Sequence, residues 1–197
     1  MEPPQNNISV CVFCASSDHL SKIYIESAES LAVKMAEKNI RLVYGGGNNG
    51  LMGVLSAKLH EHKGEITGVI TRMLKEMGFA YKNADEMLVT ETMHERKALM
   101  EKLSDGFICL AGGFGTLEEI LEILTHKQLK IIDKPIVFLN INNFFSGLFE
   151  QFNKACSDNF ICYEDKNAFF VTNSEAEALD YIISEISKKN NYLRNGL

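Results

Sequence analysis

Ile40-Arg41-Leu42-Val43-Tyr44-Gly45-Gly46-Gly47-Asn48-Asn49-Gly50-Leu51-Met52-Gly53 passes from a short apolar run into a helical one through four glycines and two asparagines placed between them. Residues 40–44 predict a strand and 51–62 a helix that Gly64 ends. Reading outward, the same unit repeats. Before it, 8–14 predict a strand and 21–38 a helix. After it come a strand at 65–70, a loop with one helical turn over 71–84, a strand at 87–90 and a helix at 93–103. Then follow a strand at 106–110, a helix at 117–129, a strand at 135–140, a helix at 144–156, a short apolar run at 169–171 and a closing helix at 175–187, capped by Ser174 and Glu177. Strands alternating with helices of this length predict an α/β fold with a mostly parallel sheet and helices on both faces.

The composition agrees. With 197 residues and 46% hydrophobic content the chain can cover one sizeable core, so a single domain is expected over 8–187, between a flexible 1–7 and a polar tail at 188–197. Basic residues number 20 against 26 acidic, for a net charge of −6, and no basic cluster exceeds Lys188-Lys189, which argues against a nucleic-acid surface. A small anionic ligand needs only a local pocket of donors and stays open. No secretory pattern opens the sequence and no apolar stretch approaches the ~18 residues of a membrane span, so no membrane contact and a cytoplasmic location are expected. Five cysteines fit reduced thiols better than a disulfide framework. Cys11 and Cys14, three apart in a strand, point to opposite faces, so they do not form a metal pair. His60 and His62 face different directions on their helix, and no G-x-S-x-G or H-E-x-x-H occurs. No metal or cofactor is expected.

Ligands of such sheets bind outside the carboxyl ends of the strands, which directs attention to loops that follow strands. The cluster after residue 44 matches G-x-G-x-x-G through Gly45, Gly47 and Gly50, but the acid at suitable distance, Glu65, begins the next strand instead of ending it, which weakens a dinucleotide reading. The cluster is either a tight turn or a ligand-facing loop. A second cluster, Leu110-Ala111-Gly112-Gly113-Phe114-Gly115-Thr116-Leu117-Glu118-Glu119, lets backbone approach a phosphate and offers the Thr116 hydroxyl at a helix start. Thr116-x-x-Glu119 also has the spacing of a capping box, which would use Glu119 inside its own helix. In Met93-His94-Glu95-Arg96-Lys97, Thr92 and Glu95 form a capping box, while Arg96 and Lys97 occupy a first turn where the helix dipole disfavours cations unless an anion is near. They are an anion clamp or a solvated pair.

In order and spacing, Val12-Phe13-Cys14-Ala15-Ser16-Ser17, the Gly45 cluster through Gly53, Met93-His94-x-Arg96-Lys97 and Gly112-Gly113-x-Gly115-Thr116-x-x-Glu119 resemble the Lonely Guy family of cytokinin riboside 5′-monophosphate phosphoribohydrolases. The likeness runs over 8–185. It implies a Rossmann-like homodimer that hydrolyses the N-glycosidic bond of AMP or its N6-modified forms, giving free base and ribose 5-phosphate without a cofactor. By resemblance Arg96 and Glu119 are catalytic, and the nucleotide is held by Gly46, Gly47, Arg96, Lys97, Gly112, Gly113, Phe114, Gly115, Thr116, Leu117, Glu118, Glu119 and Thr125. Members often carry a lysine-decarboxylase label, which these motifs do not support. Ala111, Ala15 and Thr71 depart from the family pattern in loops, and His126 stands where members often have tryptophan. The rival reading is a non-catalytic carrier of a phosphorylated ligand, similar to molybdenum-cofactor carriers. Leu117, Ile120, Leu121, Ile123, Leu124 and Leu129 cover more than one helix face, which fits a two-fold partner surface.

Overall fold

The computed structural model describes residues 8–162 and 168–194; the expected flexible 1–7 and the last residues of the expected tail lie outside them. The elements run β1 (Ser9–Phe13), α1 (Lys22–Glu37), β2 (Arg41–Tyr44), α2 (Gly50–Glu61), β3 (Ile66–Thr71), α3 (Arg72–Glu76), β4 (Glu86–Thr90), α4 (Met93–Leu103), β5 (Gly106–Cys109), α5 (Phe114–Gln128), β6 (Ile136–Leu139), α6 (Ser146–Ser157), β7 (Phe170–Thr172) and α7 (Glu175–Arg194). Among the described residues the strands form one sheet in the order β4-β3-β2-β1-β5-β6-β7, every pair parallel. This is the expected α/β, Rossmann-like architecture.

The two-residue period of the strands builds a core on each side. Val10, Val12, Leu42, Tyr44, Ile108 and Val137 meet the apolar stripes of α1, α2 and α7, where Leu31, Met35, Leu55, Leu59, Leu179 and Ile182 are buried. Their neighbours Cys11, Phe13, Val43, Phe107, Cys109 and Phe138 point the other way, onto Met100 of α4, Ile120 and Ile123 of α5, and Phe145. Each such large side chain contributes about 1.5–3 kcal/mol on burial. Cys11 and Cys14 fall in opposite cores, as their spacing requires.

Three boundaries differ from expectation. α5 starts at Phe114, with Gly113 as its N-cap, so Thr116 lies inside the helix and its hydroxyl does not cap it. The predicted helix at 144–156 splits: residues Ile141–Asn143 make a single 3-10 turn, the Asn140 side chain accepts the Phe145 N–H at 2.8 Å, and α6 begins after that. α7 continues through Arg194, so its described part takes up residues expected as polar tail. The box at Ser174 is half made. Ser174 Oγ accepts from Glu177 N at 3.3 Å, while the Glu177 carboxylate accepts the Thr172 hydroxyl at 2.6 Å.

Candidate functional site

The chain leaves β1 to build β2, β3 and β4 on one side, and returns to build β5, β6 and β7 on the other, so the order reverses between β1 and β5. At the carboxyl ends of these strands lies a pocket of about 630 Å³. The loop after β1 lends it Cys14, Ser16 and Ser17. The loop after β2 lends Gly45, Gly47, Asn48 and Asn49. Ile70 and Leu74 come from β3 and α3, Met93 and Arg96 from α4, and Gly113, Phe114, Gly115, Thr116 and Glu119 from the loop after β5 and the first turns of α5.

Arg96 and Glu119 meet at its wall. The Arg96 Nη1 donates to Glu119 Oε1 at 2.8 Å, with side chains only 7% and 11% exposed. Arg96 Nε donates to the Val69 carbonyl at 2.9 Å, so the guanidinium is held from two sides. Gly45 makes room for it: a Cβ there would lie 2.1 Å from Arg96 Nη2. Burial pushes the Glu119 carboxyl above its ordinary value, and the Arg96 charge opposes that push without overcoming it. Burial likewise raises the Cys11, Cys14 and Cys109 thiols, helped by the Glu119 charge, so these sulfurs stay neutral.

The two helix starts beside the pocket are satisfied differently. At α2, Gly50 N donates to Asp18 Oδ1 at 3.0 Å and Leu51 N to the Ala15 carbonyl at 2.9 Å. At α5 no side chain caps the start, and its first turn opens at the wall that Gly113, Phe114, Gly115 and Thr116 form. Amides and dipole there favour an anion. Thr116 is buried and packs under Gly112, where a Cβ would lie 2.1 Å from its Oγ1. Residues 79–81 clasp the first loop through Asn48 N to the Phe79 carbonyl and Tyr81 N to the Gly46 carbonyl, both 2.9 Å. Met52, Leu74, Phe79, Met93 and Phe114 give the opening an apolar rim.

The expected residues thus divide. Gly47, Gly113, Phe114, Gly115, Thr116, Arg96 and Glu119 line the pocket; Gly46, Lys97, Gly112, Leu117, Glu118 and Thr125 do not. Lys97 reaches away from it to Glu118 and Glu122 of α5. Thr125 donates to the Leu121 carbonyl at 2.8 Å and lines an apolar groove on the far side of α5. His126 pairs with Glu101 at 2.6 Å. Residue reasoning passed over the Leu74 and Phe79 side of the apolar rim, because both fall in the stretch without a clean period. It also passed over Ser16 and Ser17 as lining residues, although they directly follow a strand. Among the described residues no group of His, Cys, Asp and Glu side chains is arranged to hold a metal ion, and no helix is long and apolar enough to cross a membrane.

A family model described as "Possible lysine decarboxylase" matches residues 52–182. The chain is 41% identical over 160 residues to cytokinin riboside 5′-monophosphate phosphoribohydrolase LOG5 of Arabidopsis thaliana, covering 81% of this chain and 70% of that protein. It is 40% identical over 152 residues to cytokinin riboside 5′-monophosphate phosphoribohydrolase LOG2 of the same plant, covering 77% of this chain and 71% of that protein. Among solved structures, the molybdenum cofactor binding protein of Rippkaea orientalis superposes with a TM-score of 0.70 at 22% identity, over 92% of this chain and 99% of that one. The molybdenum cofactor carrier protein of Chlamydomonas reinhardtii does so with a TM-score of 0.71 at 17% identity, over the same shares. At those identities the likeness is one of fold.

Proposed function

Because this chain belongs to the Lonely Guy family of cytokinin riboside 5′-monophosphate phosphoribohydrolases, the family its matched model calls possible lysine decarboxylases, we propose that it hydrolyses the N-glycosidic bond of adenosine 5′-monophosphates, N6-modified ones included. The observation that carries this reading is the buried Arg96–Glu119 pair set beside the uncapped start of α5. A nucleotide phosphate sits at the Gly113, Phe114, Gly115 and Thr116 backbone, with Gly47 across the pocket. The bond from the anomeric carbon to the base nitrogen breaks with its electron pair going to the base, and positive charge grows on the ribose. The Glu119 carboxylate stabilises that charge and takes a proton from the water whose oxygen bonds the anomeric carbon, while the departing base gains a proton from solvent, giving ribose 5-phosphate and the neutral base. Arg96 fixes the carboxylate and contacts the ribose or phosphate, a positioning effect worth ~7 kcal/mol or more in favourable cases. The apolar rim of Met52, Leu74, Phe79, Met93 and Phe114 suits an alkyl substituent on N6.

The test is incubation with AMP and with isopentenyladenosine monophosphate, followed by assay of ribose 5-phosphate. Release supports the hydrolase; tight binding of both nucleotides without release returns the chain to the carrier reading. Homodimerisation and a cytoplasmic location are part of the same proposal. The former draws on a groove of about 620 Å³ along α5 and α6, lined by Leu121, Leu124, Phe149, Phe152 and Phe169, where an apolar face lies open. Light scattering that gives a stable, fully active mass of one chain would remove it.

A further inference from the structure

Lys97 is only 12% exposed, yet it is absent from the pocket wall. Its ammonium group pairs with both Glu118 and Glu122, one turn apart on the same face of α5. One residue before it, Arg96 holds Glu119; one turn after it, Glu101 pairs with His126. Three polar bridges in register therefore join α4 to α5, and the middle one grips the helix on both sides of the Glu119 turn. The Lys97 cation, which begins the second turn of α4, finds its anions in the protein itself.

We propose that Lys97 is a positioning residue that does not hold the nucleotide: its paired contacts with Glu118 and Glu122 fix the first turns of α5 and so keep the Glu119 carboxylate against Arg96. The assignment rests on the hydrolase reading for its kinetic consequences. Electrostatics give it a second readout. The groups that face Glu119 are Arg96 and Lys97 from α4, Glu118 from α5, and the neutral thiols of Cys11 from β1, Cys14 from the loop after it and Cys109 from β5. Among them the Glu118 charge raises the Glu119 carboxyl and the Lys97 charge lowers it. Removing Lys97 leaves Glu118 unopposed, whereas removing both charges restores the balance.

The experiment compares Lys97→Met, Lys97→Arg and the double variant Lys97→Met with Glu118→Gln. Lys97→Met is expected to lower kcat about 10- to 100-fold with little change in KM for AMP, as a displaced catalytic group does. Its acid limb should move to higher pH, and Lys97→Arg and the double variant should recover most of the loss. The carboxyl carbon resonance of Glu119, identified by its disappearance in Glu119→Gln, reports the same upward and restored titration without any turnover. A chain with no hydrolase activity would therefore sink the function and still decide the role of Lys97. If instead Lys97→Met raises KM or the AMP Kd at unchanged kcat, and the second substitution restores nothing, Lys97 holds the nucleotide and the proposal falls. An unmoved Glu119 resonance in all three folded variants overturns it equally.

Discussion

At Gly50 an added Cβ would lie 2.5 Å from the Ser17 carbonyl oxygen and 2.7 Å from that of Ala15, whereas at Gly113 and Gly115 it would meet nothing within 4 Å. The two glycine loops flank the same pocket and read alike in sequence. The first is filled from within: Gly45 is held close by Arg96, Gly47 by Met52, and Gly53 by the Asn48 backbone, while Gly46 and Gly50 adopt positive φ. The second is packed only at Gly112, against Thr116, and leaves the space at Gly113 and Gly115 to the pocket. Glycine in the first loop serves the fold, whereas Gly113 and Gly115 in the second serve whatever enters.

The largest effect that can break this contrast is on stability. Gly50→Ala sets a side chain at φ +56° and against two carbonyls at once, so it should cost about 3 kcal/mol or more in urea unfolding, a large share of an ordinary domain's stability. A midpoint like that of the parent chain would mean that the first loop is as open as the second. Next comes the carboxylate that the second loop delivers. Glu119→Gln should keep the fold and lower turnover ~100-fold or more, equivalent to about 2.7 kcal/mol of lost transition-state stabilisation. Near-parental rates would reduce Glu119 to a structural partner of Arg96.

The same residue sets a pH test. Its carboxyl titrates higher in the folded chain than its ordinary value, because burial disfavours the anion. The stability this brings is fully present below the unfolded value and is lost as pH rises through the folded one. Ionisation across that window produces the anion that the reaction needs. Activity should thus climb as this contribution to stability declines, on an acid limb above the ordinary carboxylate range, and Glu119→Gln should flatten the stability trend. Smaller still, Gly113→Ala should leave the urea midpoint unchanged while weakening AMP binding ~10-fold, about 1.4 kcal/mol, in calorimetry. Smallest is Gly115→Ala, inside α5, which should stabilise the fold by ~0.5 kcal/mol because alanine orders a helix at lower entropic cost.

The alternation of elements was legible because the central strands β1, β2, β3, β5 and β6 bury both faces and α1, α2 and α5 bury one stripe, and those periods are local. The start of α5 was not. Thr116 and Glu119 have the spacing of a capping box, but extended backbone at Gly113 begins the helix earlier, and the pull of Arg96 takes Glu119 elsewhere. Nothing near Glu119 in sequence announces a partner on another helix. For Lys97 a signal did exist, since Glu118 and Glu122 stand four apart and form one acidic face waiting for a cation. The Leu74 and Phe79 side of the rim escaped notice because α3 is short and buries no residue and Phe79 follows it in a loop, so neither leaves a periodic trace.

Phe114 stands 95% exposed at the rim of the pocket, in a chain with no tryptophan at all. An indole placed there by Phe114→Trp would be the molecule's sole strong fluorophore, emitting from water until an adenine ring stacked on it. Occupancy of one protein site could then be followed by light, in real time, during a single turnover, with no label, by exciting the indole at wavelengths the six tyrosines do not absorb.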